Sequence, residues 1–246
     1  MLVQNRRLLL TDSGEFKELP YVPVGTSLQP TVDLRSWDIL IESQGRLGSC
    51  TANAVVSMYE MLMKHEKNYA LNLSRLFVYY NSRLLEETVS TDTGAYLSDV
   101  IRALKMYGLC AEVLWPYQLE NFAVKPTADC YEDGRKRTIK DYYKLSGLSN
   151  ILDALNNNRL VAIGCEVFED FKELAAPYIV DLPKGNQLPE GGHAMFLVGY
   201  DLDRRLLLAK NSFGNDWADQ GYCWITFDYA DKYVVDMWTF DIDMAY

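Results

Sequence analysis

Cys50 is the residue of this sequence best suited to nucleophilic chemistry. It closes the run Q-G-R-L-G-S-C, which begins at Gln44 and stands directly before an apolar helical stretch. If a helix begins near Cys50, the positive end of its dipole favours the thiolate over the thiol. The glycines of the run let the backbone approach closely, which a cysteine used only for packing would not need. A lone cysteine at a helix start is more often structural, so a nucleophile needs supporting groups elsewhere.

Three further residues can supply what a reactive thiol requires. His193 follows two glycines at the mouth of an apolar strand, where an imidazole can serve as a base. Asn211 ends the next apolar run, and its side-chain oxygen can accept the imidazole N–H and fix the ring. The amide of Gln44, beside the backbone N–H of Cys50, can stabilise an oxyanion. Each also has a structural alternative, which for His193 is a partly buried, hydrogen-bonded ring and for Asn211 a turn residue.

Hydrophobic periodicity predicts the elements that must position these groups. Apolar residues at helical spacing predict helices over 50–64, 74–86, 97–107 and 149–157. Ser74 can cap the second helix, and Gly108 can end the third. Short apolar or alternating runs predict strands over 160–167, 193–200, 205–211 and 221–228. We therefore expect an α+β fold with an irregular leader over 1–31, a helical lobe over 32–140 and a β-rich lobe over 141–246, with the site in a cleft between the lobes.

The charge balance argues against several classes of protein. The 246 residues include 24 Lys and Arg against 34 Asp and Glu, which gives a net charge of −10. Such an acidic chain lacks the basic surface that binds nucleic acid or an anionic membrane, so we predict neither partner. The sequence shows no signal-peptide pattern and no apolar run of about 20 residues. These features favour the cytoplasm or a non-classical route of export.

The cysteines and histidines argue against a metal centre. Only two histidines occur, His65 and His193, and no H-x-x-x-H pair is present. The five cysteines are widely spaced and contain no C-x-x-C pair. We therefore predict no metal site, and we expect most of the cysteines to be reduced and buried.

Three separated motifs resemble the papain family of cysteine peptidases. They are Q-G-x-x-G-S-C, a later G-H-A, and N-S-F-G-N-D-W-x-x-x-G-Y, and the similarity runs from about Asp33 to Tyr222. The resemblance implies a papain-like two-lobe fold with a helical N-terminal lobe and an antiparallel sheet or barrel in the C-terminal lobe. It also implies hydrolysis of peptide bonds in an extended protein or peptide substrate, through an acyl-enzyme and without a cofactor.

The resemblance assigns a role to each matching position. It makes Cys50 the nucleophile, His193 the general base and acid, Asn211 the residue that orients the imidazole, and Gln44 the oxyanion donor. It also implies a resting pair of thiolate and imidazolium. Further positions take substrate-binding or shielding roles: Trp217 as a cover for the His–Asn pair, the segment of Gly94, Ala95 and Tyr96 as the cleft wall, and Gly192 as a backbone acceptor. An ordinary core tryptophan is the alternative for Trp217.

The departures from the family pattern are informative as well. Leu47 stands where the family usually has a disulfide cysteine, and this indicates a missing bridge and a reducing compartment. Ala95 replaces the second cleft glycine and keeps its N–H and C=O while adding a methyl group. The set is most similar to the bacterial and viral branches. Apolar residues near Tyr96, Leu97, Met237 and Trp238 favour a hydrophobic substrate residue in the neighbouring pocket.

Two other functions would use the same residues. One is a thiol acyltransferase or amidase that acts on a non-protein amide, and the other is a catalytically silent papain-like binding module. The proline-rich leader can cover the cleft and inhibit the site, or it can pack as a tether on the outside of the β lobe.

Overall fold

The computed structural model describes residues 18–37 and 39–243. Within them the α-helices are α1 Cys50–Lys67, α2 Arg75–Leu85, α3 Leu97–Tyr107, α4 Ala128–Gly134, α5 Gly147–Asn156 and α6 Phe227–Tyr233. The strands are β1 Leu19–Pro20, β2 Thr31–Asp33, β3 Thr138–Lys144, β4 Val161–Val167, β5 Ile179–Val180, β6 Gly191–Asp201, β7 Leu206–Lys210, β8 Tyr222–Thr226 and β9 Val234–Asp243. Short 3-10 helices cover Arg35–Trp37, Leu119–Asn121 and Glu169–Phe171.

Helix α1 is buried along most of its length. Every residue from Thr51 to Met63 is buried, and the helix packs against α2, α3 and β6. Its buried surface is wider than the stripe expected from the sequence, because polar Asn53 is enclosed as well. The Asn53 amide donates to the carbonyl of Ser49 at 3.0 Å, as a buried polar group requires. The first turn of α1, which begins with Cys50, is therefore firmly held.

The predicted helix ends are confirmed at α2 and α3. Ser74 caps α2, because its hydroxyl accepts the backbone N–H of Phe77 at 3.1 Å. Helix α3 ends at Gly108, whose φ of +70° favours glycine. A Cβ atom at Gly108 would lie 1.9 Å from the carbonyl oxygen of Gly134, so no other residue fits there.

The strands form a single sheet in the order β1-β3-β9-β4-β6-β7-β8-β5, and β2 also pairs with β6. Most neighbours are antiparallel, whereas β1 pairs with β3 and β5 with β8 in parallel. Strand β6 lies between β4 and β7, and its first residues face the N-terminus of α1. The four strands expected from the sequence are confirmed as β4, β6, β7 and β8.

The leader is more regular than its prolines and glycines predict. Within residues 18–31, Leu19 and Pro20 pair with β3, and Thr31 begins β2 and pairs with the far end of β6. Tyr21 is buried, and its hydroxyl donates to Asp153 of α5 at 2.8 Å. Part of the leader thus packs on the β-rich half, while residues 1–17 lie outside the described part of the chain.

Candidate active site

Cys50 is the first residue of α1, as the sequence predicts. Burial raises the pKa of the Cys50 thiol, and backbone N–H groups of Ala194, Thr51 and Cys50 itself act in the opposite direction. Because Ala194 directly follows His193, its contact brings the first residues of β6 next to the sulfur. The end of the helix and the start of the strand thus meet at the thiol.

His193 and Asn211 form a buried pair. The Nε2 atom of His193 lies 2.7 Å from Oδ1 of Asn211. The backbone N–H of Ser212 donates to the same Oδ1 at 2.8 Å, which identifies that atom as the acceptor. Nε2 must therefore carry a proton, and Nδ1 is left as the basic nitrogen. Asn211 fixes the tautomer that a general base requires.

Burial opposes charge on both partners of the expected ion pair. Burial raises the pKa of Cys50 and lowers the pKa of His193 to about 4, while the hydrogen bond that His193 donates to Asn211 raises the pKa of His193. Either group alone is therefore neutral at pH 7. A resting thiolate–imidazolium pair would need each charge to compensate for the desolvation of the other. The resting ion pair stays a prediction.

Gln44 is fixed from three directions. Its amide nitrogen donates to the carbonyl of Leu47 at 2.9 Å, and its amide oxygen accepts the hydroxyl of Ser212 at 2.7 Å. Its backbone N–H donates to the carbonyl of Ser212 at 2.9 Å. Ser212 follows Asn211 directly, so the proposed oxyanion donor and the imidazole partner share one support. The amide nitrogen has a second N–H that can serve a substrate.

Aromatic rings cover the imidazole. The rings of Phe213 and Phe171 lie 4.8 and 5.3 Å from that of His193, measured between centroids. Trp217 packs behind both of them, at 5.5 and 5.4 Å, and its indole N–H donates to the carbonyl of Lys172. The cover expected from Trp217 is thus formed in direct contact by the two phenylalanines. Phe171 was not predicted, because it lies in a segment that carries no motif.

The predicted cleft wall lies beside the nucleophile loop. Gly94 has a φ of +79° and donates its N–H to the hydroxyl of Tyr79 at 3.2 Å. Tyr96 donates its N–H to Glu86 at 2.9 Å, so two N–H groups of the wall already have partners. Ala95 lies between them, partly exposed. Gly192 is exposed at the start of β6, opposite Glu166 of β4.

An acidic residue lies beside the apolar pocket that the sequence predicts near the cleft. Trp238, Leu97 and Met237 are buried. A Cβ at Gly164 would lie 3.5 Å from the Cβ of Asp236 and 3.5 Å from the Cδ1 atom of Leu97. Asp236 pairs with Lys144 at 3.8 Å and is also acted on by the charge of Glu18, and we call this region the acidic end of the site. The hydrophobic pocket stays a prediction.

A buried polar network supports the nucleophile loop and was not predicted. The hydroxyl of Tyr117 donates to the carbonyl of Gln44 at 3.0 Å and also bonds the hydroxyl of Ser49. The guanidinium of Arg75 lies 4.3 Å from the centre of the Tyr117 ring and pairs with Glu42 at 2.8 Å. These residues come from separate segments without a shared motif, so only the fold reveals their connection.

Metal coordination has no support in the described part of the chain. Within residues 18–37 and 39–243, no group of three or more His, Cys, Asp or Glu side chains could hold an ion. All five cysteines are free. Among the helices of the same residues, none has the length and apolarity to cross a bilayer.

A helix that begins with a cysteine and faces a strand-borne His–Asn pair defines a papain-fold protein. The model of the papain family of cysteine proteases matches residues 28–238. The chain belongs to the papain family of cysteine peptidases.

Relatives from a bacterium and a virus are similar to this chain. Xylellain, a cysteine protease from Xylella fastidiosa, has a TM-score of 0.84 and 30% identity, with 91% of each chain covered. An uncharacterised peptidase C1-like protein of Acanthamoeba polyphaga mimivirus is 34% identical over 206 residues, which are 78% of this chain and 65% of that protein. The match to Falcipain-3 of Plasmodium falciparum, at 25% identity, covers 74% of this chain and 37% of that protein. The chain thus spans less than two thirds of these two curated relatives.

A plant protein shares the fold at lower identity. The bromelain protease from Ananas comosus, solved in complex with the inhibitor E64, has a TM-score of 0.67 and 17% identity, with 88% of this chain and all of that chain covered. This likeness concerns the fold alone. Together with the bacterial and viral relatives it supports the predicted α+β, papain-like architecture.

Proposed function

We propose that the chain is a cysteine-type endopeptidase that hydrolyses peptide bonds through Cys50, His193 and Asn211. The bond between His193 Nε2 and Asn211 Oδ1, at 2.7 Å, is the observation that carries the proposal. It leaves Nδ1 as the base, on a residue whose neighbour Ala194 reaches the Cys50 sulfur. A buried thiol, a base of fixed tautomer and an orienting amide are the parts that thiol acyl transfer needs.

The proposed reaction has two halves. In the first, the Cys50 proton moves to Nδ1 of His193, the sulfur attacks the peptide carbonyl carbon, and the imidazolium protonates the leaving amine as the C–N bond breaks. In the second, His193 takes a proton from water, and the hydroxide attacks the thioester carbon. The C–S bond breaks, the acid product leaves, and the proton returns to the sulfur.

The oxyanion that forms in each half needs donors placed in advance. The backbone N–H of Cys50 and the second amide N–H of Gln44 fill this role, because Leu47 and Ser212 hold that amide in place. An extended substrate pairs with Ala95 on the cleft wall and with the carbonyl of Gly192. Gly94 and Tyr96 flank Ala95 and shape the wall, and Trp217 backs the aromatic cover of the imidazole.

Labelling and hydrolysis together test the proposal. Wild type should react with an irreversible dipeptidyl epoxide at Cys50 and cleave peptides, whereas Cys50→Ala should do neither. Gln44→Ala should lose about 10²–10³ in kcat, since one oxyanion donor is removed, but should keep its thiol labelling. Labelling without peptide cleavage would favour an acyltransferase or amidase. An unlabelled wild type would favour the silent binding module.

Autoinhibition by the leader is a further part of the proposal. Residues 18–31 pack against β3 and α5, which fits the tether alternative. Glu18, however, interacts electrostatically with Asp99 and Asp236 at the acidic end of the site. We propose that the residues before Glu18 cover the cleft from this end.

A further inference from the structure

Asp92 joins the nucleophile loop to the rest of the helical half. Both of its carboxylate oxygens accept the backbone N–H of Gly48, at 3.0 and 3.2 Å. The hydroxyl of Tyr79, on α2, donates to the same carboxylate. The Tyr79 oxygen in turn accepts the N–H of Gly94 on the cleft wall at 3.2 Å. One carboxylate thus connects three segments: the loop before Cys50, helix α2 and the wall.

The fit around this carboxylate is close. A Cβ at Gly48 would lie 3.2 Å from Oδ1 of Asp92 and 3.2 Å from the backbone nitrogen of Gly94. The absence of a side chain at Gly48 therefore lets the loop and the wall come together. The guanidinium of Arg83 lies 3.9 Å from the centre of the Tyr79 ring and donates to the carbonyl of Thr91 at 2.9 Å. Arg83 thereby fixes both the ring and the turn that carries Asp92.

We propose that Asp92 is a positioning residue that holds the Cys50 loop in register with the substrate-binding wall. It makes this link with hydrogen bonds alone. This inference rests on the proposed peptidase function, because the loop and the wall need a fixed relative position only if a substrate lies across both. Since no disulfide is involved, the link persists in a reducing medium.

The charge of Asp92 also acts on the thiol. Burial is the main reason that the pKa of Cys50 is raised, and the negative charge of Asp92 adds to it. On the strands beside Cys50 the titratable groups are Cys165 of β4 and its register partner His193 of β6. Arg83 and Tyr117 interact electrostatically with the Asp92 carboxylate, and Tyr79 donates to it. Removal of the Asp92 charge should therefore make Cys50 easier to ionise, an effect that a purely structural contact would not have.

Three substitutions test the link. Asp92→Ala removes every hydrogen bond of the carboxylate. We expect kcat/KM to fall about tenfold or more, because a displaced wall binds the substrate less often in the reactive position. Asp92→Asn keeps an acceptor but loses the charge, so it should keep more of kcat/KM and lower the midpoint pH of Cys50 alkylation by iodoacetamide by about half a unit or more. Tyr79→Phe should raise KM more than it lowers kcat. The hydrogen bond from the Gly94 N–H to the Tyr79 hydroxyl is lost, whereas the bonds from the Gly48 N–H to Asp92 remain.

The matched control is Asp133→Asn. Asp133 also accepts a distant backbone N–H, from Ala111 at 2.9 Å, but it stands on α4. The substitution Asp133→Asn should leave both the alkylation midpoint and KM unchanged.

An unshifted midpoint in Asp92→Asn, or kcat/KM within twofold of wild type in Asp92→Ala, would overturn the inference. If Asp92→Ala does not fold, the other two variants decide. A wild type that alkylates at Cys50 but cleaves no peptide would refute the peptidase proposal instead, and the alkylation midpoints would still test the Asp92 charge.

Discussion

The imidazole of His193 is held in one orientation and one tautomer by a single amide. Asn211 accepts from Nε2 at 2.7 Å and from the N–H of Ser212 at 2.8 Å, so its oxygen cannot turn away without losing both bonds. The rings of Phe171 and Phe213 exclude water from the same imidazole. A base buried in this way resists protonation, and its proton affinity is set by the enclosure more than by any charged neighbour.

The pH dependence of kcat/KM should reflect this burial. Burial lowers the pKa of His193 to about 4 from an ordinary 6.5. The base form therefore persists down to about pH 4, and protonation of the imidazole should produce an acid limb near that value. Hydrolysis of a neutral peptide measured between pH 3.5 and 8 checks the prediction. A limb centred near 6.5 would show a solvent-exposed imidazole and contradict the enclosure.

Helices α1 and α2 are connected by a buried carboxyl. Glu60 of α1 accepts the backbone N–H of Leu73, just before α2, at 2.6 Å. Burial raises the pKa of Glu60 to about 8, and the nearby charge of Glu42 adds to this, while the Leu73 N–H, Arg75 and Lys210 act against it. The carboxyl is therefore neutral in the folded protein at pH 7 but ionised in the unfolded chain.

The substitution Glu60→Gln should remove a pH-dependent loss of stability. Because the folded pKa is raised, the contribution of Glu60 is fully present below pH 4.5 and is lost as the pH rises from 4.5 to about 8. Glutamine keeps the acceptor for Leu73 and never ionises. The variant should match wild type at pH 4.5 and exceed its Tm at pH 9 on the order of 5 °C. Equal Tm values at pH 9 would mean that Glu60 is not desolvated.

The elements that sequence patterns predicted are those with local signals. Helix α2 has the Ser74 cap, α3 has Gly108 at its end, and β4 and β6 are short apolar runs between turn residues. Strand β3, with the sequence TIKDYYK, mixes charges with aromatics and is fixed by pairing with β9, nearly 100 residues later. Such pairing has no local signature, and β3, β9, α4 and α6 were missed.

The residues of the site also fall into those with a local sequence signal and those without one. Cys50, His193, Asn211 and Gln44 lie in short motifs whose chemistry can be recognised residue by residue. Their supports belong to segments that meet only in the folded chain: Phe171, Asp92, Tyr117 and Arg75. The surroundings of Gly164 also depend on the folded chain, because composition could not show that Trp238 packs in the core and that Asp236 and Leu97 stand beside Gly164.

Across the whole molecule, the acidic end of the sheet should influence which substrates are cleaved. Ala194, Gly164 and Asp236 lie on adjacent strands, so the backbones of Asp236 and Ala194 are about 10 Å apart, and the Ala194 N–H contacts the Cys50 thiol. We expect a basic side chain to be preferred as the second residue before the scissile bond. Burial raises the pKa of Asp236, so this preference should grow as the pH rises from 4 to 8. A peptide library profiled on wild type and Asp236→Asn checks this; an unchanged profile would contradict it.

The leader connects the outside of the β-rich half with the acidic end of the site. Asp153 accepts the N–H groups of Val24 and Gly25 at 2.9 Å each, and Tyr21 also bonds it, so this stretch is anchored on α5. Glu18, the first described residue, acts electrostatically on Asp236, and residues 1–17 precede it in the sequence. If residues 1–17 cover the cleft, a chain that starts at residue 18 should have several-fold higher kcat/KM than the full-length chain. Its Tm should be nearly the same, since the anchor on α5 is intact.

Asp153→Ala should instead lower the Tm by several degrees, because the buried Tyr21 hydroxyl loses its acceptor. Kinetics and thermal unfolding of both proteins separate the two roles, and equal activity of the shortened and full-length chains would leave the leader as a tether alone.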